Sequence, residues 1–239
     1  MTAEQLTTTS RRRCYLVRHG HVDYFDLQGK PLDPRAVQLS RRGAQQAWQL
    51  GQVMQDLPID RVLCSDYPRA RQTLDLLLVG REAPIDFLPA LREIRAGRLR
   101  DIPAAGLRDT ITGAYRSAAK PGATFLGGER WDEFQGRILA QFFDLLAEPA
   151  WESALIVSHD AVNRVLLAWA AGVGLKGIAA FEQDTACLNI LDVDSLGPEV
   201  LGGIIRTLNF TPYNPHKTGL SGTVLENMFS ALKPAALES

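Results

Sequence analysis

Short apolar runs alternate along this 239-residue chain with longer segments of helical period, and that alternation restricts the fold more than any other feature. Cys14-Tyr-Leu-Val-Arg18, Arg61-Val-Leu-Cys64 and Ala154-Leu-Ile-Val157 are too short for helices and too continuously apolar for strands with one wet face. Ile85 to Leu88 reads as a further short strand, and Cys187 to Val193 and Ile204 to Leu208 as two more. Between the strands, Ser40 can cap a helix running to about Leu57, with Ala44, Ala47, Trp48, Leu50, Gly51 and Met54 as its stripe. Pro58 stops it, and Pro68 suits the first turn of a helix through Leu78. Arg130 to Glu148 is strongly amphipathic, with Trp131, Phe134, Ile138, Phe142 and Leu145 at three- and four-residue spacing. Ala161 to Ala171 is a helix closed by Gly172. Buried strands separated by helices predict an α/β fold, three-layer α/β/α around a mostly parallel central sheet. No linker is visible, so residues 1–239 read as a single domain with 1–12 as a flexible tail. Gly97 to Gly128 shows no clear period and reads as a surface or cap segment. The tail from Thr211 onward, with Pro212 and Pro215, takes no element from this reading.

The charge balance narrows the partners. Lys and Arg total 26 against 27 Asp and Glu, a net charge of −1, so there is no basic excess for nucleic acid or an anionic membrane. Any anion must be held by a local cluster. Three scattered cysteines, Cys14, Cys64 and Cys187, suit neither a disulfide framework nor a zinc ribbon. Cys14 and Cys64 lie in strand-like runs and read as small core residues. The polar, then basic N-terminus lacks a signal-peptide core, and Val165 to Leu175 is too short and Gly-broken to span a bilayer. The expectation is a cytoplasmic protein with no membrane or nucleic-acid partner.

In open α/β sheets ligands bind at the carboxyl ends of the strands. Here those ends carry Arg18 and His19, Arg69 at the start of the next helix, and His159 before a helix N-terminus. Each has a bland reading. A histidine at a strand end is often a hydrogen-bonded core residue, and Arg69, like Arg71 and Arg81, suits a helix surface. Arg18 is harder to dismiss, because an arginine that ends a buried strand needs an anion or solvent. Together, two guanidiniums, two imidazoles and a helix N-terminus make an anion site that suits a phosphoryl group.

Leu16-Val-Arg-His-Gly20, Leu39-Ser-Arg-Arg-Gly-Ala-Gln-Gln-Ala47, Ser65-Asp-Tyr-Pro-Arg-Ala-Arg-Gln-Thr73, Leu91-Arg-Glu-Ile94 and Val157-Ser-His159 resemble, in order and spacing, the motifs of the histidine phosphatase superfamily. This is the family of the cofactor-dependent phosphoglycerate mutases. The resemblance covers residues 14 to about 172 and implies a phosphoglycerate mutase-like fold. It implies His19 as the nucleophile that becomes phosphohistidine, Arg18 and Arg69 as the phosphate clamp and His159 as the second pocket histidine. It implies Glu93, ahead of Gly97, as the general acid and base, and Ala161 as a substrate contact. A phosphorylated small molecule is the substrate implied, with no metal and no cofactor, and a homodimer is common for such folds. The chemistry suits these residue types: a neutral imidazole attacks, guanidinium forks neutralise the phosphoryl oxygens, and a carboxyl gives and then takes one proton. His159 would serve better protonated, and the two histidines should titrate as a coupled set.

Three departures concern the substrate more than the phosphoryl chemistry. Val22 and Phe25 stand where the family often has Thr and Asn, and Leu99-Arg-Asp101 where it often has Trp-Glu-Gly. Asp160 replaces a common glycine; it should turn from the phosphate and pair with Arg164 four residues on. Specificity is expected in Val22 to Gly29 and in Gly97 to Gly128.

Other readings compete. His19-Gly-His21-Val-Asp23 matches a metallo-hydrolase His-x-His-x-Asp, although few further ligands follow. Cys-x5-Arg is absent around Cys64, and Ser158-His159-Asp160 cannot stack as a triad on one strand. A silent phospho-ligand module on the same fold would normally lose the nucleophile or the acid, and both are present. Phosphoglycerate mutase chemistry is the nearer rival, but Glu93-Ile-Arg-Ala-Gly97 lacks the Arg-His-Tyr-Gly stretch of the mutases. The resulting expectation is a metal-independent phosphatase acting on phosphomonoesters.

Overall fold

Successive side chains of the first strand enter two different cores. Every residue from Cys14 to Arg18 is buried, with Cys14 and Leu16 facing one core and Tyr15 and Val17 the other. This alternation is the period-2 geometry of a strand covered on both faces. The computed structural model describes residues 9–26, 28 and 32–232. In chain order its elements are β1 (Thr9–Arg18), α1 (Arg41–Met54), β2 (Arg61–Cys64), α2 (Pro68–Leu77), β3 (Ile85–Phe87), α3 (Leu107–Thr112), α4 (Trp131–Ala147), β4 (Ser153–Ser158), α5 (Asp160–Ala170), α6 (Gly174–Gly177), β5 (Leu188–Leu196), β6 (Glu199–Phe210) and α7 (Val224–Ala231).

The sheet order is β3-β2-β4-β1-β5-β6. The first four strands are mutually parallel; β5 runs antiparallel to β1, and β6 antiparallel to β5. Leu50, Met54, Leu74 and Leu77 of α1 and α2 fill one face. Phe134, Ile138, Val165 and Leu166 of α4 and α5 fill the other, giving the expected three layers. Phe134 is fully buried and meets Trp131 edge-on, with ring centroids 5.9 Å apart. Phe134→Ala is expected to cost about 3–5 kcal/mol, read from the denaturant midpoint.

The register sets the site. Arg18 of β1 lies opposite Ser158 of β4, so His19 and His159 leave neighbouring parallel strands side by side. Ser65 follows β2 on the other flank of β4, where its N–H donates to the Val157 carbonyl. The turn after His19 presses against α1. A Cβ at Gly20 would meet the Gly43 carbonyl oxygen at 2.4 Å, and one at Gly43 would meet the His21 oxygen at 2.0 Å. No side chain fits at either glycine. Ser40 caps α1 as expected, accepting from the Gly43 N–H.

Three expectations need correction, and the unplaced C-terminal segment gains a helix. The tail ends earlier than residue 12: β1 begins at Thr9, and residues 1–8 lie outside the described residues. Its polar start is held by the partner strand, with Arg11 on Asp194 and Arg13 on Asp192, both at 2.7 Å. The 97–128 stretch does more than wrap the surface, since Leu107, Ile111, Ala114, Tyr115, Ala118, Phe125 and Leu126 join the core. The two late strands form a longer antiparallel hairpin than the apolar runs indicate. The tail contains α7, started by a capping box of Thr223 and Glu226. Among the described residues no single helix is long and apolar enough to cross a membrane.

Candidate active site

The ends of β1, β2 and β4, with the first turns of α2 and α5, converge on His19. Its ring is buried, and its Nδ1 lies 2.7 Å from the Gly20 carbonyl oxygen. A carbonyl only accepts, so Nδ1 carries the proton and Nε2 keeps its lone pair. Arg69 Nε donates to that Nε2 at 3.1 Å. Burial first, then the charges of Arg69 and Arg18, lower the His19 pKa well below 6.5. The imidazole is therefore neutral at neutral pH, the form that can act as a nucleophile.

His159 is fully buried, and its ring centroid lies 5.1 Å from that of His19. Its Nδ1 is 3.3 Å from Arg69 Nη2, a donor, and its Nε2 is 2.8 Å from Ser65 Oγ. These contacts select the neutral Nε2–H tautomer. Burial, then Arg69 and His19, hold the His159 pKa well below 6.5. A second cation beside Arg69 in a dry site is unfavourable. Arg69 itself is 2% exposed, donates to the Pro34 carbonyl, and lies 4.7 Å above the Tyr67 ring. Arg18 Nη1 donates to the Gln183 carbonyl at 2.5 Å, while its buried Nε has no hydrogen-bond partner among the described residues. Burial works against the Arg18 charge and the Asp160 carboxylate works for it.

Glu93 completes the group. Its Oε1 accepts the Ile94 N–H at 2.9 Å and the Ala161 N–H at 3.2 Å, in the first turn of α5. Burial, then the charge of Asp160, raise its pKa to about 7. Near neutrality this carboxyl can both give and take a proton. A neutral imidazole with an unprotonated Nε2, two guanidinium groups and a buried carboxyl with a pKa raised to about 7 therefore meet in one site.

Residues 14–203 match the histidine phosphatase superfamily (branch 1). The chain belongs to that superfamily. It is 30% identical over 183 residues to the adenosylcobalamin/α-ribazole phosphatase of Salmonella typhimurium, covering 76% of this chain and 90% of the relative. It is 30% identical over 150 residues to a protein of Salmonella paratyphi A named a probable phosphoglycerate mutase, covering 61% of this chain and 68% of the other. The crystal structure of the α-ribazole phosphatase from Shigella flexneri superposes with a TM-score of 0.66 at 27% identity, covering 82% of this chain and 96% of that one.

In this histidine phosphatase the expected residues Arg18, His19, Arg69, Glu93 and His159 are brought together. The Ala161 N–H donates to the Glu93 carboxyl group. Asp160 turns to Arg164 as expected, Oδ1 to Nε at 2.6 Å. Arg71 stacks on Phe87 and Arg81 holds the Met54 carbonyl, so both stay off the site. His21 turns to the α1 cap, its Nδ1 2.9 Å from Ser40 Oγ. Among the described residues no group of three or more His, Cys, Asp or Glu side chains is placed to hold a metal ion. Ser158 bonds Asn163, His159 bonds Ser65 and Asp160 bonds Arg164, three divergent directions that leave no triad. Of the expected specificity loop Val22 to Gly29, residues 27 and 29 lie outside the described residues.

Several supporting residues escape a sequence reading. Thr73 Oγ1 accepts the Gly20 N–H at 3.0 Å and fixes the His19 turn. Ser65 holds His159, and both Ser65 and Thr73 lie within a motif that gives them no distinct signal. Arg137 of α4 grips the carbonyls of Ala90 and Arg92 at 2.6 and 2.9 Å, and so holds the Glu93 turn. Tyr115 lies beneath the Arg164 guanidinium at 4.2 Å, and burial, then Asp160, keep its hydroxyl protonated. Gln183 is locked by Asn163 and Asn189, at 3.1 and 2.8 Å. Only the folded chain reveals these pairings.

Proposed function

We propose that this protein hydrolyses phosphomonoesters through a phosphohistidine on His19. The observation that carries the reading is the fixed tautomer of His19, with Nδ1–H on the Gly20 carbonyl and the Nε2 lone pair facing the Arg69 guanidinium. The phosphoryl group would sit between Arg18 and Arg69, whose forks offset the charge on its oxygens. His19 Nε2 attacks phosphorus as the ester P–O bond breaks, and Glu93 gives its proton to the departing oxygen. Glu93, now a carboxylate, takes a proton from water, the water oxygen attacks phosphorus, and the N–P bond breaks. Inorganic phosphate leaves, and both residues return to their starting forms.

The substrate is proposed to be a phosphorylated small molecule, and α-ribazole phosphate is the first candidate because two relatives are named for it. Three buried, unpaired cysteines support a reducing, cytoplasmic setting. The likeness to a protein named as a mutase keeps one second reading, in which the phosphoryl group returns to another hydroxyl. Mixing the enzyme with a phosphoester and quenching in alkali is expected to trap phosphate on His19, in an acid-labile linkage. Absence of that adduct under turnover refutes the proposal. Isotope-labelled water separates the two fates, since hydrolysis places one solvent oxygen in the released phosphate and transfer places none.

A further inference from the structure

We propose that Asp160 is a positioning residue for the acid–base step: clamped by Arg164, it fixes a negative charge beside the Glu93 carboxyl and so keeps on Glu93 the proton that the leaving oxygen takes. The inference rests on the reading of Glu93 as the acid. Asp160 opens α5, and the Glu93 carboxyl sits on the N–H of the next residue, Ala161. Two buried carboxyls thus share one helix N-terminus. Asp160 and Arg164 are 3% and 1% exposed. Arg164 does not cancel the charge of Asp160, because its Nη2 also donates to Glu182 Oε2 at 2.9 Å. Arg164 is thus shared between two carboxyl groups and is not devoted to Asp160. Glu182 is itself held by the Val224 N–H at the start of α7, at 2.7 Å. The C-terminal helix therefore helps to lock the charge in place.

The other groups around Glu93 set the balance. Arg18 from β1 and Arg69 from α2 favour the carboxylate, as does the Ile94 amide. The Ala161 amide donates to it as well. Arg137 from α4 donates to the Glu93 carbonyl at 3.4 Å. Tyr115, beyond α3, stays neutral. Burial and Asp160 favour the acid, and they prevail.

Asp160→Asn retains an acceptor for Arg164 and removes the charge. It is expected to move the alkaline limb of the kcat/KM–pH profile for an alkyl phosphate down by about one pH unit. Near pH 7.5 it should lose about tenfold more on that substrate than on p-nitrophenyl phosphate, whose leaving group needs little protonation. In a Glu93→Gln background, which has no proton to lose, the same substitution should shift nothing further. Glu182→Gln, at a partly exposed position, gives Arg164 to Asp160 alone and should move the limb in the same direction even where Asp160→Asn fails to fold. A limb unmoved in the folded variants, or equal losses on the two substrates, overturns the proposal. A normal phosphohistidine with an unmoved limb overturns only this inference; a missing phosphohistidine overturns the proposed function.

Discussion

His19→Ala abolishes turnover on every phosphoester, with a loss on the order of 10^4-fold or more. The physical reason is that no other group in the site can take the phosphoryl group. His159 is equally neutral, but its Nδ1 is engaged by Arg69 and its Nε2–H by Ser65. The cysteines cannot substitute: Cys14, Cys64 and Cys187 are fully buried, and burial raises all three thiols, Cys14 and Cys187 up to about 12. The variant should still fold, because the strand register and the Gly20–Gly43 contact involve backbone that alanine leaves intact. The checks are steady-state rates, the disappearance of the trapped adduct and an unchanged circular dichroism spectrum. Residual turnover above about one per cent of wild type would mean that the nucleophile lies elsewhere.

Glu93→Gln separates substrates by their leaving groups. On alkyl phosphates kcat/KM should fall about 10^2- to 10^3-fold, the range for losing a general acid. On p-nitrophenyl phosphate kcat/KM should fall far less, because nitrophenolate departs without a proton. With p-nitrophenyl phosphate, where formation stays fast, the phosphohistidine should also accumulate, since the water that cleaves it has lost its base. The pH profile follows from the raised pKa of Glu93. The acid form prevails below about 7 and drains away above it, so wild-type kcat/KM on alkyl phosphates should decline above that pH. His19, whose pKa lies well below 6.5, is neutral throughout this range and adds no limb near neutrality. Glu93→Gln should erase the alkaline decline. Equal losses on both substrate types, with the decline intact, would remove Glu93 from the acid role.

Elements whose stability is local were legible residue by residue. β2 spans Arg61–Cys64 as the apolar run indicates, and α2 starts at Pro68 and ends within one residue of the expected Leu78. The stripe of α4 is buried at Trp131, Phe134, Ile138, Phe142 and Leu145. The Asp160–Arg164 pair follows from four-residue helical spacing. Elements that depend on distant partners were not legible. The basic start of β1 carries no strand pattern, and it becomes a strand because β5 presents Asp192 and Asp194 to its arginines. In β6, Gly202 and Gly203 interrupt the pattern, yet a Cβ at Gly203 would meet the Ala170 Cβ at 2.8 Å. The close packing of β6 on α5 calls for that glycine. The one overlooked local signal is the Thr223–Glu226 box that starts α7.

The amino-acid order alone dictated a layered α/β chain and set the histidines and arginines at strand ends, and the resemblance of its motifs pointed to Glu93, because strand period, helix caps and motif spacing are encoded over a few residues. Folding alone decided their chemistry. Which His19 nitrogen carries the proton, why His159 is neutral, and why Glu93 titrates near 7 depend on a carbonyl, a guanidinium and a carboxylate that meet only once separate stretches of chain are packed together. Electrostatic energies fall with distance in space and grow with burial, and neither quantity can be read along the chain.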